Sequence, residues 1–185
     1  MTASRLAILL AASLSLSALA QVPQKIIPAK SAIRFVTRQM NVPVEGQFKR
    51  FDGSVAFDPA KPEATKAEFE VDLASIDLGG DEGTTEARRK PWLDVATFPK
   101  ARFTATSVKA VGPNRFEASG PLTIKGISRD VVAPFTLATS GAERTVEGQF
   151  TLKRLQFKVG EGEWADTDTV ADDVVVRFKF TLPSR

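Results

Sequence analysis

The residues of this 185-residue chain that could do chemistry are few, and what is missing matters as much as what is present. Histidine, cysteine and tyrosine are all absent. The usual general bases, thiol nucleophiles and soft metal ligands therefore disappear together, and Ser/His/Asp catalysis is excluded. Carboxylates remain. Their densest cluster is Asp166-Thr167-Asp168 followed by Asp172-Asp173. Its opening spacing is that of a calcium loop, but Ala171 stands where that loop needs glycine and no glutamate follows at its twelfth position. The cluster reads as a solvated acidic loop, and no metal or cofactor is expected. An enzyme that hydrolyses or isomerises a lipid would need an acidic pair facing an interior. Arg88-Arg89-Lys90 is the longest basic run and reads as a solvated face. Without Arg5, the 25 basic side chains fall by one against 22 acidic ones, too small an excess to imply nucleic-acid binding.

The positive signal is apolar: thirteen phenylalanines, many on one phase of alternating segments. Phe35, Phe69, Val71, Phe103, Phe135, Phe150 and Phe178 share an inward phase on separate strands and are the candidate lining of one continuous cavity. Phase alone is equally satisfied by a packed core, because an eight-stranded barrel can be filled by side chains or hold one ligand.

The elements that position these side chains follow from the same alternation. Arg5 precedes an apolar run from Leu6 to Leu16, and Ala18-Leu19-Ala20 supplies small residues before a cleavage point. Residues 1–20 read as a signal peptide, with a soluble mature chain of one domain, 21–185, delivered to the periplasm. Glu68, Glu70 and Asp72 alternate with Ala67, Phe69, Val71 and Leu73, so one face of that strand is acidic and meets water. Val44, Gly46 and Phe48 are out of phase with Phe51, Gly53 and Val55, which predicts a bulge near Lys49 and Arg50. Gly112-Pro113-Asn114, Lys125-Gly126 and Ser140-Gly141 supply turns between later strands. About eight strands joined mostly by hairpins predict an all-β fold, a closed antiparallel barrel.

Leu78 to Pro99 breaks the rhythm. Thr84 or Thr85 is expected to cap a short helix reaching Lys90, and Pro91 to begin a further turn carrying Trp92 and Leu93. This helical insertion is expected to lid one end, with Trp92, Leu93 and Phe98 touching a ligand near the opening. A second irregular stretch, Arg154 to Asp168, frames the same or the opposite mouth.

Gly120-Pro121-Leu122-Thr123-Ile124-Lys125-Gly126-Ile127-Ser128-Arg129 resembles a segment of the YceI-like family. Ser31 to Phe35, Val44 to Phe48 with Phe51-Asp52-Gly53, Trp92-Leu93-Asp94 leading to Thr97-Phe98-Pro99, and Arg154 to Trp164 resemble its other signatures in order. The resemblance covers essentially all of 21–185. It implies an eight-stranded, lipocalin-like barrel of the periplasm that binds a polyisoprenoid or quinone-like lipid in an internal apolar tunnel, as ligand rather than cofactor. Carriage of such a lipid is compatible with a transient membrane contact and with a homodimer. Where many members have acidic and histidine residues, this chain has Glu86-Ala87-Arg88-Arg89-Lys90-Pro91, which implies a mouth suited to a different head group. The alternative to a carrier is a non-catalytic structural or stress-related module with a filled barrel.

Overall fold

A computed structural model describes residues 22–184; the signal-peptide reading of 1–20 lies outside them. The described residues form one curled antiparallel sheet of twelve strand segments. These are β1 (Gln24–Lys25), β2 (Ala32–Gln39), β3 (Val42–Phe48), β4 (Phe51–Ala56), β5 (Lys66–Asp72), β6 (Ile76–Asp77), β7 (Lys100–Ala105), β8 (Ser107–Gly112), β9 (Arg115–Ile124), β10 (Ile127–Ser140), β11 (Glu143–Lys153) and β12 (Asp173–Pro183). The one α-helix among the described residues, α1 (Asp81–Ala87), lies in the insertion between β6 and β7.

Neighbours run β1-β4-β5-β7-β9-β10-β11-β12-β2-β3-β6, with β8 continuing beyond β7 along β9. The sheet curls back on itself at the β1 end: the Ile27 N–H donates to Thr181 O of β12 at 2.8 Å, and Arg144 of β11 donates to Gln24 Oε1 of β1 at 2.7 Å. The count exceeds the expected eight because β1 and β6 are two residues long, too short to carry a period, and because β7 and β8 are one course along β9 broken at Thr106.

Two features differ from the sequence reading. Lys49-Arg50 is not a bulge within a strand but a corner between β3 and β4, held by Lys49 N–H on Ser75 O at 3.1 Å and Asp72 N–H on Arg50 O at 3.0 Å. The corner lets both Phe48 and Phe51 turn toward the core. A register shift occurs instead between Ala110 and Gly112, where β8 pairs with β9. The helix begins at Asp81 rather than at Thr84 or Thr85, and ends before Lys90. Thr84 sits inside it, and its Oγ1 accepts the Leu78 N–H at 3.0 Å.

Two turns show why neighbouring strands stay tight. Met40 and Asn41 have φ of 48° and 63°, the paired left-handed values of a two-residue hairpin, and Lys125 and Gly126 repeat this at 50° and 73°. Outside, Glu70 of β5 pairs with Lys100 and with Arg102, the latter at 2.9 Å, and Asp72 pairs with Arg50 at 2.9 Å. Inside, a large apolar cluster runs from Ile26 to Leu182, and a second one of Leu73, Ile76, Ala87, Leu93 and Ala101 lies beneath the helical insertion.

Candidate functional site

The interior is not filled. A cavity of about 950 Å³ opens beneath the insertion, and a smaller one of about 150 Å³ lies deeper in the barrel. The inner cavity is walled almost entirely by apolar side chains. Phe69 and Val71 of β5, Phe103 of β7, Phe135 of β10, Phe150 of β11 and Phe178 of β12 all line it. Phe35, Trp92 and Leu93 line the outer one. The expected single cavity is thus two, and Phe35 stands in the other one from its six companions.

Phe98 lines neither. The Phe98 N–H donates to Asp94 O at 2.8 Å, and this turn lays the ring over Gly126, with Cε1 only 2.7 Å from where a Cβ would stand. Phe98 therefore braces the β9–β10 turn, which corrects its expected place at the opening. Phe57 and Phe180 line the inner cavity and Phe48 the outer one, although they were not among the candidates. Their inward phase was visible in the sequence; what distinguished wall from core was not.

Glycine makes room for three of these phenylalanine rings. Gly46 lies opposite Phe35, Gly53 opposite Phe69, and Gly148 opposite Phe178 across their ladders. Each ring bends over its glycine, coming within 2.3 to 2.6 Å of the missing Cβ. Aromatic area is thereby laid flat against the wall instead of projecting into the space.

The outer cavity is roofed by α1, by the turn carrying Trp92 and Leu93, and by the loop from Arg154 to Val170. Both irregular stretches therefore frame one mouth. Trp92 and Trp164 meet with ring centroids 5.4 Å apart. Gly160 and Glu161 each donate a backbone N–H to Pro91 O, at 2.8 and 2.9 Å. At the rim stand Asp81 and Glu82, both exposed, and Glu86, which pairs with Arg89 at 3.0 Å.

Arg154 organises this mouth, and sequence reasoning gave it no structural role. It is 2% exposed, and its five N–H donors reach five main-chain carbonyls: Ala171 from Nε, Val159 and Gly160 from Nη1, Trp164 and Val170 from Nη2. The distances are 2.7 to 3.0 Å, so the fork is saturated. Burial pushes the guanidinium below its ordinary pKa, and nearby Asp172 opposes that shift. The guanidinium also lies 5.6 Å from the Trp92 ring centroid. Lys125, 8% exposed, adds a second tie from the β9–β10 turn, donating to Lys158 O and to Glu161 Oε2, each at 2.8 Å. The hydrogen bond from Lys125 holds Glu161 below the usual carboxylate range.

The acidic cluster is absorbed by local structure. Asp166 accepts from Thr169 Oγ1 at 2.7 Å and from Asp168 N–H at 3.1 Å, Asp172 accepts from Leu155 N–H at 3.0 Å, and Asp173 pairs with Lys153 at 2.7 Å.

Asp77 anchors the opposite side of the insertion. Its carboxylate pairs with Lys49 at 2.8 Å and accepts from Gly79 N–H at 3.0 Å and Gln47 Nε2 at 3.3 Å. The Lys49 hydrogen bond, then those of Gly79 and Gln47, bring its pKa down to about 2. A folded-state pKa below the ordinary carboxylate value means that the stabilisation is full above about pH 4 and is lost as pH falls through about 2. A carboxyl-carbon NMR titration is expected to place Asp77 near pH 2, with the Gly79 amide shifting alongside it. A midpoint near 3.8 would show that the anchor is not formed.

A model of the YceI-like domain matches residues 24–182. The chain belongs to that family. BcnA of Burkholderia cenocepacia, a solved structure, is 42% identical and superposes with a TM-score of 0.82 over 84% of this chain and 98% of that one. A UPF0312 protein of Pseudomonas savastanoi pv. phaseolicola is 36% identical over 100 residues, 54% of this chain. That match spans about half the length of the curated relative, 52%. A structure from Saccharophagus degradans, described as a polyisoprenoid-binding domain implicated in plant cell wall breakdown, shares 17% identity and a TM-score of 0.70 over 87% of this chain and 98% of that one. At that identity the likeness is one of fold. The YceI-like signatures map onto working parts of the structure: Arg154 and Gly160 build the mouth, while Gly120 and Gly126 sit at close approaches of backbone or ring.

Proposed function

We propose that this YceI-like protein is a non-catalytic carrier that encloses the apolar chain of an isoprenoid or isoprenoid quinone, for transport or storage in the periplasm. The single observation behind this reading is the roofed cavity of about 950 Å³, mainly apolar in its depth and charged at its rim. The Saccharophagus degradans domain, with the same fold, supports the choice of ligand class. Each buried methylene contributes about 0.8 kcal/mol, so ten to twelve enclosed carbons give a gross term of about 8 to 10 kcal/mol before association costs. A carrier rather than an enzyme fits the placement of charge: among the described residues no Asp or Glu lines the inner cavity, and the acids of the outer one stand on α1 at the rim. The filled-barrel alternative requires an interior without cavities, unlike this one.

Behind the mouth, the Trp92 indole Nε1 is buried with no hydrogen-bond partner among the described residues, and a turn of the ring into the cavity would present it to a carbonyl or phosphate oxygen of a head group. Native mass spectrometry of protein purified from its own cells is expected to show an added mass that solvent extraction releases as a prenyl lipid. Trp92→Phe keeps an aromatic ring, though a smaller one, and removes the donor. It should weaken ubiquinone-type binding about tenfold while leaving squalene, a prenyl hydrocarbon with no oxygen, unaffected. No added mass and no uptake of either probe would overturn the carrier reading.

A further inference from the structure

The two cavities meet at one level of the barrel. Among the described residues, only Ile33 of β2 and Val176 of β12 line both. The other walls change cavity at the same height. On β9, Leu122 faces the inner and Ile124 the outer; on β11, Phe150 faces the inner and Leu152 the outer. Ile33 pairs with Phe178, and Val176 with Phe35, so Ile33 and Val176 are diagonal neighbours on one inward face.

We propose that Ile33 and Val176 form a constriction that sets the chain length this protein prefers. The body of the chain fills the outer cavity, and its terminal isoprene unit passes over these two side chains, which project side by side from one wall, into the inner cavity. This rests on the carrier reading. The inner cavity, about 150 Å³, matches in size an engineered apolar cavity that stays dry and takes up benzene, a molecule close to one isoprene unit in bulk. A void of that size left empty would forfeit contacts all round its lining, so a ligand end that fills it is favoured. On the same scale the outer cavity holds roughly six units. An oxygen-bearing end is excluded from the inner cavity by its apolar walls, so the chain enters tail first and its head group stays at the mouth.

Trp92 and Trp164 are the only tryptophans in the chain and both line the outer cavity, so their fluorescence reports occupancy. Binding of a prenol series from three to ten units is measured on delipidated protein. Wild type is expected to gain affinity with each added unit and then to level off. Two variants act on the constriction and on the inner cavity separately: Val176→Phe closes the passage, and Ala133→Leu fills the inner cavity without touching the outer one. Each should move the plateau down by about one unit and weaken the preferred length about tenfold; for Ala133→Leu, which leaves the outer cavity untouched, the shortest prenols should bind as in wild type. Thermal unfolding shows which variant is folded, and either folded variant decides. A plateau that does not move, or an equal loss at every length, overturns the constriction while leaving the carrier standing. No prenol binding by wild type overturns both.

Discussion

Arg154→Met is expected to cost about 3 to 5 kcal/mol of folding stability, the range for removing one partner of a buried charged network. Methionine preserves the apolar stem as far as the position of Nε, so the loss comes from the guanidinium alone, its donors and its contact with the Trp92 ring. Five carbonyls, those of Val159, Gly160, Trp164, Val170 and Ala171, would lose the group that gathers them. They are main-chain atoms and cannot be replaced by apolar ones, so no substitution at position 154 makes the change neutral. The Gly160 backbone also takes its left-handed conformation, φ 78°, pressed against Arg154 Nη1, and would lose its support. Arg154→Lys offers three donors on one nitrogen instead of five in a plane, and is expected to recover less than half of the loss. Urea unfolding should show a lower midpoint with an unchanged slope for both variants. A loss below about 1 kcal/mol for the methionine variant would mean that the mouth loop holds itself.

The parts of this protein that could be read from its sequence are those governed by a period. The alternation of Phe69 and Val71 with Glu68 and Glu70 is the observed β5, and the turns at Lys125-Gly126 and Ser140-Gly141 fall where glycine was needed. What could not be read depends on contacts between distant segments. A two-residue strand such as β6 has no period; it exists because β3 runs beside it. Lys49-Arg50 produced a phase slip that either a bulge or a corner explains, and the deciding partner, Ser75, lies 25 residues away along the chain. Phe98 and Trp92 look alike as aromatic residues of one insertion, yet the Asp94 turn sends one to Gly126 and leaves the other in the mouth. Arg154 carried no local signal as an organiser, because five carbonyls from a loop are not a motif. The separation of the interior into two cavities likewise depends on side-chain size at one height, which phase does not record.

Gly120→Ala and Gly46→Ala are the same chemical change on two inward-curving strands, and they are expected to fail in opposite ways. A Cβ at 120 would stand 2.0 Å from Thr104 O, with Thr104 C and Thr106 N each at 3.0 Å, so the obstacle is backbone at the break between β7 and β8. That break is held by Thr106 N–H on Ser119 O at 2.9 Å, and Arg102 and Phe103 are already paired with β9 just before it. The strand cannot retreat without giving up this pairing, and a loss of about 3 kcal/mol is expected, at the upper end for overpacking. At 46 the obstacles are the tips of side chains, Phe35 Cζ at 2.3 Å and Leu78 Cδ2 at 2.7 Å. The Phe35 ring has the outer cavity to swing into, so Gly46→Ala should change stability by less than about 1 kcal/mol. It places the ring where the ligand chain would lie, and prenol affinity should fall about tenfold, the equivalent of one to two buried methylenes. Calorimetry and the tryptophan titration together separate the two variants. If Gly120→Ala melted like wild type, the β7–β8 break would be a soft joint; if Gly46→Ala bound prenols unchanged, Phe35 would not stand in the ligand's path.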